Sequence, residues 1–181
     1  LHQHGCCWHE QACSTAAVGN HLECLRYAHE HGAQWDVQTI IAAILGHSMR
    51  CLRYARGQNC PWDEQVYLCA AQEGNVEALE YIHNQHARPA NFADLEEYKL
   101  ITVAAAKAGK LECLRLLHVC GYPWDQRVTE AAAERGQLSC LEYAFTNGCQ
   151  LSQAVISNAL KNNHLACLDY ALNNNCPVDP K

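Results

Sequence analysis

One spacing constrains this chain more than any other property. Trp8, Trp35 and Trp62 stand 27 residues apart, as do Cys24 and Cys51, with Ala78 in the next place. Cys113, Cys140 and Cys167 keep the same step. From Ala78 to Cys113 the step is 35, so one unit carries eight extra residues. A fixed period of this size, kept by several residue types, specifies an array in which each unit packs only on its neighbours. After a partial unit over 1–8, repeats run near 9–35, 36–62, 63–89, 90–124, 125–151 and 152–178. The chain begins inside a unit and ends where another would begin. That predicts one repeat domain over 1–181, a piece of a longer array.

Each unit reads as two helices. The first is short and alanine-rich, as at Ala42-Ala43, Ala70-Ala71, Ala105-Ala106 and Ala132-Ala133. It is expected to stop at Asn20, Gly46, Gly74, Gly109, Gly136 and Asn163, since Gly and Asn tolerate the left-handed conformation that ends a helix. The second helix is amphipathic, with Leu22, Leu25 and Ala28, or Leu138, Leu141 and Ala144, on one face. Its stops are Gly5, Gly32, Asn59, Gly121, Gly148 and Asn175, with His86 as the exception. The links Trp35-Asp36, Trp62-Asp63, Trp124-Asp125 and Leu151-Ser152 each place an apolar residue before a helix N-cap. That residue is expected to staple onto the first helical turn, pairing Trp35 with Ile40, Trp62 with Tyr67 and Leu151 with Ile156.

These residues resemble ankyrin repeats. Asn20-His21-Leu22-Glu23-Cys24-Leu25-Arg26-Tyr27-Ala28-His29-Glu30-His31-Gly32 is similar, without a gap, to that family's G-H-L-E-V-V-K-L-L-L-E-A-G. Ala132-Ala133-Glu134-Arg135-Gly136 resembles its A-A-x-x-G. The unit is shorter than the usual one of about 33 residues, and the shortfall lies in the family's β-hairpin finger. The expected class is therefore all-α, an ankyrin-like α-solenoid of about six helix-turn-helix repeats with fingers shortened or absent. Asn59-Cys60-Pro61-Trp62-Asp63 and Gly121-Tyr122-Pro123-Trp124-Asp125 resemble the short repeats of giant viruses of amoebae and some protists. In such viruses these repeats often follow an F-box that recruits a ubiquitin ligase. No F-box is visible here.

Composition narrows the function classes. The formal charge is −6, the wrong sign for the basic footprint of nucleic-acid binding. No apolar run approaches the length of a membrane span. Thirteen cysteines and 11 histidines raise a metal or thiol reading. Stacked helices sit about 8–10 Å apart, whereas a disulfide needs Cα atoms within about 7 Å. The ladder Cys24, Cys51, Cys113, Cys140, Cys167 is therefore expected to pack as small core hydrophobes. Reduced thiols in this number point to an intracellular, cytoplasmic protein, or the host cytoplasm for a viral one. His2, His4, Cys6, Cys7 and His9 cluster without the usual zinc spacing. His29 and His31 are expected in solvent. No nucleophile elbow, zincin or phosphate loop occurs, so no catalytic residue, metal or cofactor is assigned. The Trp ladder is expected to staple helices rather than stack bases.

The resemblance implies a non-catalytic scaffold that binds a protein partner on a concave helical surface. One form of it is the substrate-recognition part of a host-targeting ubiquitin-ligase adaptor. The rivals are a self-associating virion or assembly component and a Cys/His metal-binding regulatory domain. In the family the residues after A-A face the partner. Here those places are read as Ile44-Leu45, Gln72-Glu73, Lys107-Ala108, Glu134-Arg135 and Lys161-Asn162. In the longer unit, Arg88-Pro89-Ala90 stands where Pro-Trp-Asp would be. Its first helix is expected to start near Asn91 and to project, with Asp94, Glu96 and Glu97 making the projection acidic; it is either a local extension that packs Phe92 and Leu95 on adjacent units or a recognition finger through which these acidic residues bind a basic partner.

Overall fold

A computed structural model describes residues 8–9, 11–85 and 96–177. Twelve α-helices and no strand occur among them. The chain divides into two compact units, residues 1–70 and 71–181, with the division inside α5 (Gln65–Glu73).

In the first unit, α1 (Ala12–Val18) and α3 (Val37–Leu45) pack side by side, and α2 (Leu22–Glu30) lies beside α4 (Met49–Gly57). Each helix pair closes through a short turn. In the second unit the first helices are α7 (Glu96–Lys107), α9 (Gln126–Glu134) and α11 (Gln153–Lys161), with α9 between the other two. The second helices α6 (Val76–Gln85), α8 (Leu111–Val119), α10 (Leu138–Thr146) and α12 (Leu165–Asn173) form a matching row. Alanines make the first row close-packed. Ala16, Ala17, Ala43, Ala105, Ala106, Ala132, Ala133 and Ala159 are all buried. The second row buries a Cys-Leu pair at Cys51-Leu52, Cys113-Leu114 and Cys140-Leu141.

The left-handed stops keep the period throughout, and the stop expected at Gly46 falls one place later, at His47. Positive φ occurs at Asn20, His47, Gly74, Gly109, Gly136 and Asn163, and again at Gly32, Asn59, Gly121, Gly148 and Asn175. Gly46 is not among them: its φ is −81° and it caps α3 in an ordinary conformation, while His47 adopts the left-handed turn at φ +49°. The glycine has a different cause. A Cβ at Gly46 would fall on the backbone carbonyl of Val18, at the end of α1. Bare backbone is needed there so that α3 can approach α1. The same one-place shift makes Ile44 the counterpart of the buried second alanine, and Ile44 is fully buried.

The caps form as the links require. Asp36, Asp63 and Asp125 accept from the backbone N–H of Gln38, Gln65 and Arg127, each at 2.9 Å. Ser152 does not cap α11. Its hydroxyl instead donates to Glu130 Oε1 at 2.6 Å, a charge-assisted bond.

The tryptophans have flat partners that the staple reading did not assign. His29 stacks on Trp35 at 3.5 Å between ring centroids, and His118 on Trp124 at 4.0 Å. Arg56 lies 4.3 Å over Trp62. His29, Arg56 and His118 occupy equivalent places six residues before their tryptophans. A tyrosine of the next second helix closes two of the sets edge-on, Tyr54 against Trp35 and Tyr143 against Trp124, both at 6.1 Å. His29 is thus part of the packing, not a solvated side chain. His31 is exposed but stacks on Tyr27 at 3.9 Å. With one face of Trp35, Trp62 and Trp124 occupied, these rings are built into the scaffold.

The longer unit begins, among the described residues, at Glu96. α7 has 12 residues where α9 and α11 have nine, and the additional turn is at its N-terminal end. The expected start near Asn91, with Phe92, Asp94 and Leu95, lies outside the described residues, as do His86 and the cluster from His2 to Cys7. The added turn is anchored twice. Tyr98 is buried and its ring sits 5.9 Å from Tyr122. Glu96 accepts from Arg127 Nη1 at 2.9 Å and from Lys99 at 3.1 Å.

The one-place shift is testable. Gly46→Ala forces the α1–α3 backbones apart and is expected to cost about 1–3 kcal/mol, the range for overpacking. His47→Gly relieves a left-handed side chain but loosens the unfolded chain, so it should change stability by less than about 1 kcal/mol. Urea denaturation of the two variants decides whether the steric requirement sits at 46 or 47.

Candidate functional site

The first helices of the second unit end on a row of polar residues. α5 ends on Gln72-Glu73, α7 on Lys107, α9 on Glu134 and α11 on Lys161, with Arg135 and Asn162 following the last two. Alanines two and three places earlier pack inward, which turns these helix ends outward. Gln72, Glu73, Arg135, Lys161 and Asn162 are exposed, and Lys107 and Glu134 half-buried. The row is internally connected. Lys107 Nζ lies 3.0 Å from Glu134 Oε1 and donates to Oε2 at 3.1 Å, and Arg135 Nε is 3.8 Å from the same carboxylate. The side chains of the Lys107–Glu134 pair are 42% and 39% exposed. Exposed pairs of this kind contribute about 0–1 kcal/mol, so an incoming carboxylate or guanidinium can exchange for either member. Asn162 donates its side-chain amide to Asn158 O at 2.9 Å.

Sequence reasoning missed the residues that roof this row. Lys110, Gln137 and His164 lie over Gly74, Gly109 and Gly136 respectively, so close that a Cβ on each glycine would strike the side chain. These glycines therefore serve two needs, a positive φ and a close approach from the next unit. The signal was available, because 110, 137 and 164 keep the period. An open depression lined by Glu134, Arg135, Asn162 and His164 results.

In the first unit the equivalent place holds Leu45, which is exposed, followed by Gly46. Ile44 cannot meet a partner from outside, since its side chain is enclosed. The apolar pair expected from the sequence is therefore a single leucine. At the added turn, Glu97 is exposed, whereas Glu96 is committed to Arg127 and Lys99. Arg127 also grips Asp125, with Nη2 2.8 Å from Oδ2. Its guanidinium holds the carboxyls of Asp125 and Glu96 below their usual range.

The described cysteines assemble no metal centre. Among the described residues no three His, Cys, Asp or Glu side chains come together in a geometry for a metal ion. All described cysteines are free thiols. Cys51, Cys113, Cys140 and Cys167 are buried, as the spacing requires. Cys24 is not: it is exposed on α2, where the described residues supply no preceding helix pair to cover it. A second ladder went unread. Cys60, Cys149 and Cys176 also keep the period and are buried after the second stop. Cys60 Sγ donates to Asp36 O at 3.2 Å and Cys176 Sγ to Ser152 O at 3.1 Å, tying the end of each repeat to the N-cap of its own first helix. Burial pushes the Cys60 and Cys149 thiols up to about 12, and Cys113 and Cys140 up to about 11, from an ordinary value near 9.

Two predictions follow the site chemistry. Unfolded thiols ionise near pH 9 while the buried ones hold their protons to about 11–12. Stability is therefore undiminished below pH 9 and falls as pH rises from 9 towards 12. Denaturation midpoints measured across that range check it, and a maleimide at pH 8 should label Cys24 quickly and Cys60, Cys113, Cys140 and Cys149 slowly. At the acid end, Asp125 and Glu96 carry depressed values, so their contribution is present above the ordinary carboxylate range and is lost as pH falls below about 4. Asp125→Ala removes both cap and guanidinium partner; loss of the cap alone costs about 1 kcal/mol, and the variant should show a weaker acid dependence in the same measurement.

No protein-family model matches the chain, and no curated protein matches it in sequence. Among solved structures it is similar to the crystal structure of the human ASB11 ankyrin repeat domain, with a TM-score of 0.72, over 93% of this chain and 86% of that one, at 13% identity. At that identity the likeness speaks for the backbone arrangement. The fold of this chain is that of an ankyrin repeat domain.

Proposed function

We propose that the chain is a non-catalytic protein-interaction scaffold. Its reading face in the second unit is the row Gln72, Glu73, Lys107, Glu134, Arg135, Lys161 and Asn162. One observation carries the reading. Across the repeats the buried places are apolar or small and mostly Ala, Cys and Leu, whereas these outward places change in charge and size from one unit to the next. A surface that varies over a fixed frame can distinguish partners; a frame alone cannot. The partner is expected to carry both charge signs, because the row alternates them. Leu45 offers an apolar anchor of its own on the first unit, of the kind that dominates binding energy when desolvated. The likeness to short viral repeats extends this reading to substrate recognition within a host-targeting ubiquitin-ligase adaptor.

A photo-reactive residue placed at Arg135 or Lys161 should cross-link one discrete protein in extract of the source cells. Lys107→Glu combined with Arg135→Glu should remove that product by at least tenfold. The control Glu142→Lys, exposed on α10, should leave it unchanged. Equal loss in the control, or no discrete product, overturns the assignment of this face.

A further inference from the structure

Charge is sorted within the second unit. The row of first-helix ends, with its roof, carries Lys107, Lys110, Arg135 and Lys161 against Glu73 and Glu134. One equivalent place on the second helices has the opposite balance: Glu80, Glu142 and Asp169 are exposed there, with Arg115 as the cation. Arg115 is itself 3.7 Å from Glu112. The whole sequence has a formal charge of −6, so a basic excess along one row runs against the composition. A local field of one sign draws in the opposite sign and repels its own.

The cations of the row are unequally committed. Lys107 lies against both oxygens of Glu134, at 3.0 and 3.1 Å, so that pair closes on itself. Arg135 reaches the same carboxylate only with Nε at 3.8 Å, and its side chain is 60% exposed although a further helix pair follows it. Lys110, Lys161 and His164 form no ion pair among the described residues. The depression lined by Glu134, Arg135, Asn162 and His164 lies between two helix pairs that are both present. His164 turns the Nδ1 edge of its ring to Gly136, where a Cβ would lie 2.6 Å from Nδ1 and 2.9 Å from Cγ and Cε1. Nε2 is on the opposite edge, with no hydrogen bond among the described residues.

We infer that this row takes an acidic segment of the partner protein, with one Asp or Glu carboxylate seated in the depression between Arg135 and His164. The inference rests on the reading of the row as the partner-binding face and names the chemistry that face selects. Arg135 offers a carboxylate a fork of parallel N–H groups, and His164 a single donor at Nε2. Lys110 and Lys161 add positive charge along the same row, while Glu73 leaves a place for one basic residue of the segment. A nucleic acid fits less well, because its charge keeps one sign along the backbone and would meet Glu73 and Glu134 as well as the cations.

Fluorescence anisotropy of a labelled, end-capped peptide of alternating Glu and Gly tests it, with Gln and Lys counterparts as controls. The Glu peptide should bind the whole chain and the counterparts should not. Its affinity should fall about tenfold between about 0.05 and about 0.5 M salt, as screening of exposed charges requires. Arg135→Glu should weaken it about tenfold, whereas Arg115→Glu, the same change in net charge on α8, should leave it within about twofold. Both residues are exposed, and matching circular-dichroism melts check that each variant folds. A Glu peptide that does not bind overturns the inference. So does equal or tighter binding of the Lys peptide or of single-stranded oligothymidine, or an equal loss in the two variants. If a photo-reactive residue at Lys161 still captures one discrete protein after such a result, the partner-binding face stands and only its acidic ligand falls. Peptide binding without that cross-link would refute the partner-binding reading and leave the carboxylate chemistry of the row standing.

Discussion

Everything in the molecule depends on how near one first helix can come to the next. Helices at ordinary separation leave room for large side chains between them. Here the interlayer positions are alanine, and where even a Cβ is too much the residue is glycine, as at Gly46 against Val18. That proximity fixes the rest. The polar residues at the ends of α7, α9 and α11 fall into one row because their helices have nothing bulky to hold them apart. The linking segments are short enough for a thiol to reach the carbonyl of the preceding cap. The same closeness explains the glycines under Lys110, Gln137 and His164.

Most of the helical frame was legible because it rests on local rules. Left-handed stops need Gly or Asn, caps need Asp, and a buried stripe needs helical spacing. Those rules placed the stops at eleven described positions with a single displacement. That displacement shows where local reasoning ends. A Gly beside a His is assigned the turn on conformational grounds, but the Gly was required one place earlier by a neighbouring helix, and the turn fell to His47. Nothing within the repeat itself reveals Val18 above it. The candidate site inherited the same error, since counting from Gly46 put Ile44 on a surface that is really the core.

The aromatic sets were illegible for a related reason. Trp35 was paired with a residue of its own helix, because staples are a known local motif. A further partner, His29, lies before it on the preceding helix, and the third member, Tyr54, comes from the next repeat. Recognising that His29, Arg56 and His118 share one place would have pointed to a flat, cation-capable group on the indole. Such groups interact through the ring quadrupole as well as by contact. Ser152 shows the converse: a residue well suited to capping makes no cap bond and donates to a carboxylate 22 positions back.

The additional turn of α7 has a consequence for how such a chain changes length. Eight extra residues enter between two helix pairs, yet the second helices on either side keep their register and the next repeat resumes its step. Tyr98 and the Glu96–Arg127 pair anchor the described start of the longer helix, from Glu96 on, onto the existing frame. Links of this fold are therefore places where sequence can be gained without renegotiating the core. A lineage of such proteins would diversify by indels in its links and by point changes on its helix ends, two independent routes to a new surface on one unchanged framework.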